Sequence, residues 1–396
     1  MNMNEQMKES EESILHTYNR FPVVFEKGQG CCLYDSEGKE YLDFAAGIAV
    51  NSLGYHYPGY DEALKDQIDK LMHISNLYYN EPIIEAGAKL VKASKMSKAF
   101  FTNSGTEAIE GALKAAKKYA YVRDGHADHE IIAMNHSFHG RSIGALSVTG
   151  TAHYREPFEP LMGGVKFADF NNLESVKAQI TDKTCAIITE VVQGEGGIYP
   201  AKKEFLEGLR QICDEKDIML IFDEIQCGMG RTGHYFAWQA YGVQPDIMTS
   251  AKALGCGVPV GAFVLSEKAA KASLEPGDHG TTYGGNPFVC AAVSKVFDIY
   301  ENDKIIEHVQ EMTPYLEQKL DEIVAKHECA ATRRGMGFMQ GIVIQGRPVG
   351  EVVKAALTKG LLVISAGSDV LRIVPPLVTT KEYIDKMAAI LDECMK

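Results

Sequence analysis

Short apolar runs alternate with helical patterns from about residue 85 to residue 290 of this 396-residue chain. Such alternation is typical of an α/β unit built around a largely parallel sheet, because parallel strands need crossover helices. Ligands of these sheets collect at the carboxyl ends of the strands, so we expect the chemistry in the polar segments that end the runs. The segments that we predict to contain strands are KAFFTNSG, EIIAMNHSFHG, TCAIITEVVQGEGG, DIMLIFDEIQCG, DIMTSAK and GAFVLS.

The pattern changes at about residue 291, where a long helical stretch with periodic apolar positions begins. It is followed by RGMGFMQGIVI, by a second helical stretch near Val352–Lys359 and by LRIVPPLV. We therefore predict a large domain over 49–290 and a smaller α+β domain over 291–396. The first 48 residues are too few to fold alone, and we expect this N-terminal segment to pack against the small domain.

The acidic charge balance excludes two classes of partner. A formal net charge of −13 argues against a nucleic-acid backbone or an anionic membrane, since either needs a concentrated basic face. No apolar run approaches the roughly 18 residues of a membrane span, and the polar, acidic N-terminus lacks the character of a targeting peptide. Nine cysteines without a C-x-x-C pair indicate reduced thiols. We expect a cytoplasmic protein that binds anions through a local basic site.

The segment Asn103–Glu107 predicts a helix N-terminus directly after a strand. Ser104 and Glu107 have the spacing of a capping box, and a helical run follows them. The free N–H groups and the positive dipole end of such a terminus form a ready phosphate site, and Gly105 lets a ligand approach closely. An ordinary helix cap shows the same pattern, so the motif alone leaves both interpretations open.

Asp223 and Glu224 follow the apolar run DIMLIF at the carboxyl end of a predicted strand. A carboxylate in this place is often simply solvated. A partly buried aspartate can instead keep a heterocyclic nitrogen protonated through charge pairing. Cofactors with a pyridine ring need such a partner, so Asp223 is a candidate for that role.

Three glycines, Gly228, Gly230 and Gly233, spell G-x-G-x-x-G, the dinucleotide-binding fingerprint. The fingerprint should start in the turn directly after a strand, lead into a helix and precede an acidic residue by about 20 positions. Here other residues separate the strand from Gly228, and the nearest following acid, Asp246, comes too soon. A dinucleotide-dependent oxidoreductase is therefore only a remote alternative.

Lys252 lies between a short predicted strand and a glycine-rich loop, in DIMTSAKALGCGVPVGAF. An exposed and inert lysine would be ordinary in this place. A lysine that is partly desolvated among small residues instead has a lowered pKa and can condense with a carbonyl compound.

Two histidines and two arginines are further candidates. His136 and His139 are close in sequence, yet no third ligand follows at a suitable spacing, so we predict structural or hydrogen-bonding roles and no metal site. Arg141 and Arg372 are candidate carboxylate clamps. Either arginine alone is also typical of an ordinary surface.

Six motifs follow one another along the chain: the turn Asn103–Glu107, SFHGR, QGEGG, FDEIQCGMGRTG, SAKALG and HGTTYGGNP. Their order and separations resemble the ornithine/acetylornithine group of the class III, pyridoxal-phosphate-dependent aminotransferases. The resemblance covers about Tyr18 to the C-terminus, and HTYNRFPVVFEKGQG and HISNLYYNEP place it nearest the acetylornithine branch. It implies a fold type I transferase with a mostly parallel central sheet flanked by helices and a smaller α+β domain.

The resemblance also implies how pyridoxal phosphate would be held. Lys252 would hold it covalently and, once displaced by substrate, would shuttle the proton of the reaction. Asp223 would pair with the pyridinium nitrogen and so keep the ring an electron sink. Gln226 would hydrogen-bond near the phenolate oxygen of the ring, and Phe138 would stack on the ring face.

The phosphate of the cofactor would be bound by two subunits, according to the same resemblance. Gly105 and Thr106 would give N–H and hydroxyl contacts to the phosphate. Thr282 would reach the phosphate in the neighbouring subunit, so the active sites would be complete only in a homodimer.

The two substrates of the family give roles to the arginines. A long amine donor reacts at its terminal nitrogen, whereas 2-oxoglutarate reacts next to a carboxylate. Arg141 and Thr281 would bind the far α-carboxylate of the donor, and Arg372 would bind the oxoacid. Glu195 would neutralise Arg372 in the donor half-reaction and then swing away, because an unpaired buried charge costs several kcal/mol. Tyr18 would line the same pocket.

The implied activity is transfer of the terminal amino group of N2-acetylornithine to 2-oxoglutarate, giving N-acetylglutamate 5-semialdehyde and glutamate, as in arginine biosynthesis. Ornithine, succinylornithine, succinyl-diaminopimelate and 4-aminobutyrate are alternative donors, and a catalytically silent pyridoxal-phosphate-binding protein is a further alternative. Two departures from the family pattern bear on donor preference. Val191 stands where the family commonly has proline, and Cys256 interrupts the glycine run after Lys252.

Overall fold

The structure is a computed structural model that describes residues 3–396, so the first two residues of the predicted N-terminal segment lie outside it. The strands are β1 Phe25–Gln29, β2 Cys32–Asp35, β3 Glu40–Asp43, β4 Lys98–Thr102, β5 Glu130–Met134, β6 Val165–Ala168, β7 Thr184–Glu190, β8 Val192–Gln193, β9 Tyr199–Pro200, β10 Met219–Asp223, β11 Ile247–Ser250, β12 Gly261–Leu265, β13 Ala330–Met336, β14 Met339–Ile344, β15 Leu361–Leu362, β16 Ile364–Ala366 and β17 Val370–Ile373. The α-helices are α1 Met3–Ser13, α2 Ala46–Ala49, α3 Tyr60–Lys70, α4 Glu81–Ser94, α5 Gly105–Asp124, α6 Ile143–Ser147, α7 Ala152–Arg155, α8 Leu173–Gln179, α9 Lys203–Lys216, α10 Glu267–Lys271, α11 Pro287–Asn302, α12 Ile305–Lys326, α13 Val349–Thr358 and α14 Lys381–Cys394.

A seven-stranded sheet in the order β4-β12-β11-β10-β7-β5-β6 forms the centre of the molecule. The six strands predicted from the apolar runs are all present in it. The seventh, β6, is a short edge strand whose residues are mostly half-buried, which leaves little apolar signal in the sequence. Only β12 runs antiparallel to its neighbours, so the predicted mostly parallel α/β fold is confirmed.

The register of the central strands brings polar side chains to one edge of the sheet. Asp223 at the end of β10 is paired with Glu190 at the end of β7 and with Thr249 in β11. Since parallel strands end at the same edge, three chemically active side chains from distant parts of the chain become neighbours.

Both faces of the central sheet are covered by apolar side chains. In β10, Leu220 and Phe222 belong to one core cluster, whereas Met219 and Ile221 belong to the other. This alternation is the period of two of a β-strand, and burial on both faces explains the continuous apolar run in the sequence.

Helix α5 begins where its N-terminus was predicted, after β4. The Ser104 hydroxyl caps it by accepting a hydrogen bond from the N–H of Glu107 at 3.3 Å. The capping-box prediction is only half correct, because the Glu107 carboxylate accepts from the N–H and side-chain amide of Asn103, each at 2.8 Å. This contact fixes the turn between β4 and α5.

Two four-stranded sheets lie outside the central sheet, and the first of them combines strands from both ends of the chain. The first has the order β1-β2-β3-β15, in which Leu361 of β15 pairs with Leu42 of β3. The second has the order β13-β14-β17-β16 and is antiparallel throughout. Helix α13 covers most of the stretch predicted near Val352–Lys359 but begins at Val349.

The glycine triplet at 228–233 lies in turns, and the next regular element is a single 3₁₀ turn, Ala237–Ala240. No α-helix follows the triplet as the dinucleotide fingerprint would require. All nine cysteines are unpaired, and all but Cys329 are buried. No helix within residues 3–396 is both long enough and apolar enough to cross a membrane.

Candidate active site

A cavity of about 450 Å³ lies at the carboxyl ends of β7 and β10 and beside the N-terminus of α5. Ligands of parallel α/β sheets bind at this edge, as the polar strand ends led us to expect. The predicted site residues that line the cavity are Gly105, Thr106, Phe138, Arg141, Glu195, Asp223, Gln226 and Lys252.

Asp223 is buried, and both oxygens of its carboxylate accept hydrogen bonds. Oδ2 accepts from Nδ1 of His139 at 2.7 Å, and Oδ1 accepts from the Thr249 hydroxyl at 3.2 Å and the Ile225 N–H at 3.0 Å. Burial would lower the pKa of His139, but the hydrogen bond and the charge of Asp223 outweigh it and raise that pKa above its ordinary value. The carboxylate is therefore held in one orientation at the cavity wall.

Lys252 follows β11 and opens a 3₁₀ turn with a left-handed backbone, φ +50°. Burial lowers the pKa of its amine to about 8, although the negative charge of Glu195 opposes the shift. An amine with this pKa is partly uncharged near neutral pH and can act as a nucleophile or a base.

The N-terminus of α5 offers an anion site next to these groups. The N–H groups of Gly105 and Thr106 have no hydrogen-bond partner within residues 3–396, as expected for the first turn of a helix. The Thr106 hydroxyl lies 2.7 Å from that of Ser142. A Cβ at position 105 would lie 2.9 Å from Cδ1 of Ile225, so glycine keeps this approach open.

Arg372 in β17 forms the opposite end of the site with Glu195 and Gln226. Its guanidinium donates to both oxygens of Glu195, and Nη1 donates to Oε1 of Gln226 at 3.1 Å. Burial would raise the pKa of Glu195, but the charge of Arg372 holds that pKa below its ordinary value. Arg372 is 2% exposed, so the ion pair neutralises a charge that is removed from water.

Arg141 lies at the cavity mouth and is exposed. Its guanidinium carbon lies 4.1 Å from the ring centroid of Tyr154 and 5.5 Å from that of Phe138. No carboxylate of the part of the chain described here forms an ion pair with it. The aromatic rings orient this guanidinium and leave its N–H groups available for an incoming carboxylate.

Arg372 contacts the cavity-lining residues Glu195 and Gln226 without being part of the lining itself, and three further predicted site residues do not line the cavity of a single chain. Tyr18 is 72% exposed. The Thr281 hydroxyl accepts hydrogen bonds from the Asn103 amide and the Gly284 N–H, each at 3.1 Å, which places it behind the α5 turn. Thr282 is exposed on the surface.

The fold brings two further residues to this site that the sequence motifs do not identify. Thr249 holds Asp223, and Glu190 lines the cavity between Phe138 and the turn that carries Glu195. Both occupy positions opposite Asp223 in neighbouring strands. The sequence therefore shows polar residues near the ends of these strands, but their position beside Asp223 follows only when the strand register is known.

These residues fit pyridoxal phosphate by the chemistry of their donors and acceptors. The free N–H groups of Gly105 and Thr106 suit a phosphate, the buried Asp223 carboxylate suits a protonated ring nitrogen, and the Lys252 amine suits an aldehyde. Together, the central sheet and this constellation define a pyridoxal-phosphate-dependent transferase of fold type I.

Comparison with known proteins identifies the family within this class. The family model described as aminotransferase class-III matches residues 14–395, so the chain belongs to the class-III aminotransferases. The members of this family are pyridoxal-phosphate-dependent transaminases.

Individual relatives cover nearly the whole chain. An acetylornithine aminotransferase of Clostridium acetobutylicum is 47% identical over 98% of this chain and 100% of its own length. A succinylornithine transaminase of Yersinia pseudotuberculosis is 43% identical, covering 94% of this chain and 92% of its own length. A solved ornithine aminotransferase of Toxoplasma gondii, described with partial occupancy of pyridoxal phosphate at its active site, has a TM-score of 0.95 at 28% identity, covering 99% of this chain and 94% of that one.

Proposed function

We propose that this chain transfers the terminal amino group of N2-acetylornithine to 2-oxoglutarate and forms N-acetylglutamate 5-semialdehyde and glutamate, as in arginine biosynthesis. The observation that carries the proposal is the pairing of Arg372 with Glu195, which lines the cavity together with Arg141 and Lys252. Relatives that are 44–48% identical to this chain and bear the name acetylornithine aminotransferase support the choice of donor.

The two arginines suit two substrates of different shape. Arg141, with no ion-pair partner within residues 3–396, would take the far α-carboxylate of the donor, and Thr281 would contribute nearby. Arg372 would take the carboxylate of 2-oxoglutarate that adjoins the reacting carbon. Glu195 would pair with Arg372 while the donor reacts and release it to the oxoacid, so that neither state leaves a buried cation unpaired.

The residues that would hold the cofactor surround the same cavity. Gly105 and Thr106 would bind its phosphate, Asp223 its ring nitrogen and Lys252 its aldehyde carbon, while Phe138 would cover the ring face and Gln226 would bond near the phenolate oxygen. When bound, pyridoxal phosphate supplies an electron sink for the carbon that bears the amino group.

The group of this chain that would transfer the proton is the Lys252 amine. Its lowered pKa means that Nζ can accept a proton from the substrate carbon and return it later in the reaction. Because Asp223 is held by His139 and Thr249, its charge stays fixed while that proton moves.

A donor panel tests the choice of substrate. We expect kcat/KM with 2-oxoglutarate to be highest for N2-acetylornithine and at least about tenfold lower, a difference of about 1.4 kcal/mol, for ornithine and 4-aminobutyrate. Succinylornithine and succinyl-diaminopimelate are included because acyl selection depends on pocket shape. A higher kcat/KM for any other donor would reassign the substrate, and the absence of turnover with every donor would indicate a silent binder.

We also propose that the chain forms a homodimer through an exposed apolar surface, which consists of Leu71, Met72, Leu77, Tyr78, Tyr79, Ile84 and Tyr283. Leu77 is 87% exposed and Tyr79 is 95% exposed. The two segments of this surface touch each other, since the rings of His73 and Tyr283 lie 5.3 Å apart. Contiguous apolar surface of this kind is typical of an interface, and Thr282 lies within it.

The dimer is tested by Tyr79→Asp, with Tyr121→Asp as the control because Tyr121 is an exposed tyrosine outside the apolar surface. We expect sedimentation to show a dimer for the wild type and the control and a monomer for Tyr79→Asp, since a buried unpaired charge opposes association. A wild-type monomer would refute the proposal.

The contribution of Thr282 to the neighbouring site is tested with mixed dimers of Lys252→Ala and Thr282→Ala subunits. If Thr282 serves the partner's site, each mixed dimer has one intact site and regains about half of the wild-type activity. If Thr282 serves its own chain, each mixed dimer has one dead site and one site with the Thr282→Ala defect, so its activity is about half that of the Thr282→Ala homodimer.

A further inference from the structure

Glu190 is a buried carboxylate whose contacts connect the two ends of the cavity. We infer that it is a positioning residue, whose carboxylate holds the segment that contains Phe138 next to the turn that contains Glu195. It thereby fixes the position of the cofactor end of the cavity relative to the substrate end. The inference rests on the proposed function, since it concerns the two half-reactions of that transamination.

The contacts of Glu190 are directed to both ends. Its Oε2 accepts the N–H of Phe138 at 3.3 Å, and its Oε1 accepts the N–H of Gly194 at 3.1 Å. Phe138 is the residue proposed to cover the ring of the cofactor, and Gly194 directly precedes Glu195. A single side chain therefore contacts both segments.

The turn that carries Glu195 is held from its other side by residues of β13 and of the loop before β17. The Gly367 N–H donates to the Glu195 carbonyl at 2.8 Å, and Nε of Arg334 donates to the Gly197 carbonyl at 2.7 Å. On the side of the central sheet, Glu190 holds this turn together with the Gln193 amide, which donates to the Asn135 carbonyl at 2.9 Å, and the Gln226 amide, which donates to Glu195 at 3.4 Å. Loss of the Glu190 contact would weaken this attachment relative to the contacts with the C-terminal part of the chain.

The position of Glu190 also places its charge among the groups of the site. It pairs in register with Asp223, and the charged groups that act on it or are affected by it are His139, Asp223 and Lys252. Burial raises the pKa of Glu190 to about 7, with His139 opposing the shift. Both oxygens already accept N–H groups, so protonation of either oxygen would weaken one of the two contacts.

The chain offers a matched control in Glu224. This glutamate is also buried, burial raises its pKa to about 7 as well, and it accepts two main-chain N–H groups, from Ala237 and Trp238, each at 2.8 Å. It does not line the cavity. Glu190→Gln and Glu224→Gln therefore make the same chemical change, an amide group facing an N–H donor, inside and outside the lining of the cavity.

The first measurement is hydrogen exchange of the cofactor-loaded enzyme. We expect Glu190→Gln to increase exchange in both segments, around Phe138 and around Gly194, by about tenfold or more. Glu224→Gln should increase exchange around Ala237 and Trp238 and leave those two segments unchanged. Equal exchange of the Phe138 and Gly194 segments in Glu190→Gln and wild type would overturn the inference, whether or not the enzyme uses acetylornithine.

The second measurement compares single-turnover rates of the two half-reactions, with acetylornithine and with 2-oxoglutarate. In Glu190→Gln the donor rate should fall at least about tenfold more than the oxoacid rate, because a displaced Glu195 leaves Arg372 unpaired only while the donor reacts. Glu224→Gln should leave the ratio of the two rates unchanged. A wild type that fails to convert acetylornithine refutes the proposed function; an unchanged ratio in Glu190→Gln refutes the role of Glu190.

A second variant covers the case that Glu190→Gln does not fold. Glu190→Asp keeps a carboxylate but shortens its reach by one methylene group, so it should retain one of the two contacts and give a smaller change in the same ratio. A ratio equal to that of the wild type, together with unchanged exchange around both Phe138 and Gly194, would contradict the inference.

Discussion

The two ends of the cavity are built in different ways. At the cofactor end, Asp223 is fixed by hydrogen bonds from within the central sheet and the adjoining loops, and its partners His139 and Thr249 are buried. At the substrate end, Arg372 is neutralised by Glu195 from a turn, and Arg141 at the mouth has no ion-pair partner within residues 3–396.

In the proposed reaction, Asp223 has to keep one position throughout, whereas Arg372 has to exchange Glu195 for the carboxylate of the oxoacid. In the proposed reaction the ring nitrogen of the cofactor has to stay protonated through both half-reactions, which favours a carboxylate fixed by strand register. For this exchange, the counter-ion of Arg372 has to move away when the oxoacid binds. A residue in a turn, such as Glu195, can move more readily than one in a strand.

Lys252→Ala should produce the largest effect. Without the amine, both proton transfer and covalent attachment of the cofactor are lost, and we expect turnover to fall by at least about 10⁴-fold while cofactor still binds through the remaining contacts. Steady-state rates and an absorbance titration with pyridoxal phosphate check both parts. Turnover within tenfold of the wild type would show that Lys252 does not have this role.

Asp223→Asn tests the fixed end of the comparison. The amide keeps the shape of the side chain but removes the charge, so we expect both half-reactions to slow by a similar factor, on the order of 10²–10³. Asp246→Asn is the matched control, since Asp246 is a buried carboxylate paired with Arg210 away from the cavity. If only one half-reaction responded to Asp223→Asn, the two ends would not be independent in the way we describe.

Arg372→Ala and Arg141→Ala test the adjustable end. Loss of a carboxylate clamp should cost about 2–5 kcal/mol, roughly 30-fold to several thousandfold. We expect Arg372→Ala to damage the 2-oxoglutarate half-reaction more, and Arg141→Ala to damage the donor half-reaction more. Single-turnover measurements of each half-reaction distinguish the two patterns, and equal damage to both half-reactions by Arg372→Ala would contradict the exchange of partners.

The sequence predicts the fixed end of the site better than the adjustable end. Asp223 and Lys252 follow apolar runs that form strands of the central sheet, so their place at its carboxyl edge can be derived from the alternation of apolar runs with helical patterns. The pairing of Arg372 with Glu195 joins positions 177 residues apart, and no local pattern contains that contact. Only the family resemblance suggested it before the structure was known.

Three features of the structure could not be predicted from sequence patterns. Strand β6 is short and partly exposed, so its apolar signal is weak. Glu190 and Thr249 acquire their importance from the register of β7, β10 and β11, which depends on packing of the whole sheet. Glu107 caps the turn at Asn103 instead of Ser104 because the local backbone, which the motif does not specify, places that N–H within reach.

The pH dependence of cofactor uptake should give a moderate effect. Because burial lowers the pKa of Lys252 to about 8, the uncharged amine becomes more abundant as pH rises and reaches its plateau above that value. We expect the rate at which cofactor-free enzyme captures pyridoxal phosphate, fixed with borohydride, to rise by up to about tenfold per pH unit below about 8. A rate that keeps rising to pH 10 would indicate an ordinary exposed lysine.

Thr249→Val should give the smallest effect and the sharpest test of how firmly the cofactor end is held. The change keeps the branched shape in β11 but removes the hydroxyl that donates to Oδ1 of Asp223, leaving the bonds from His139 and Ile225. The carboxylate loses one of its three donors and stays held by the other two, so we expect turnover to fall roughly twofold to tenfold, equally in both half-reactions. Thr249→Ser keeps the hydroxyl and should stay close to the wild type. If Thr249→Val instead changed the ratio of the two half-reaction rates, the loss of a hydrogen bond at Asp223 would alter the Arg372 end as well. The two ends would then not be independent.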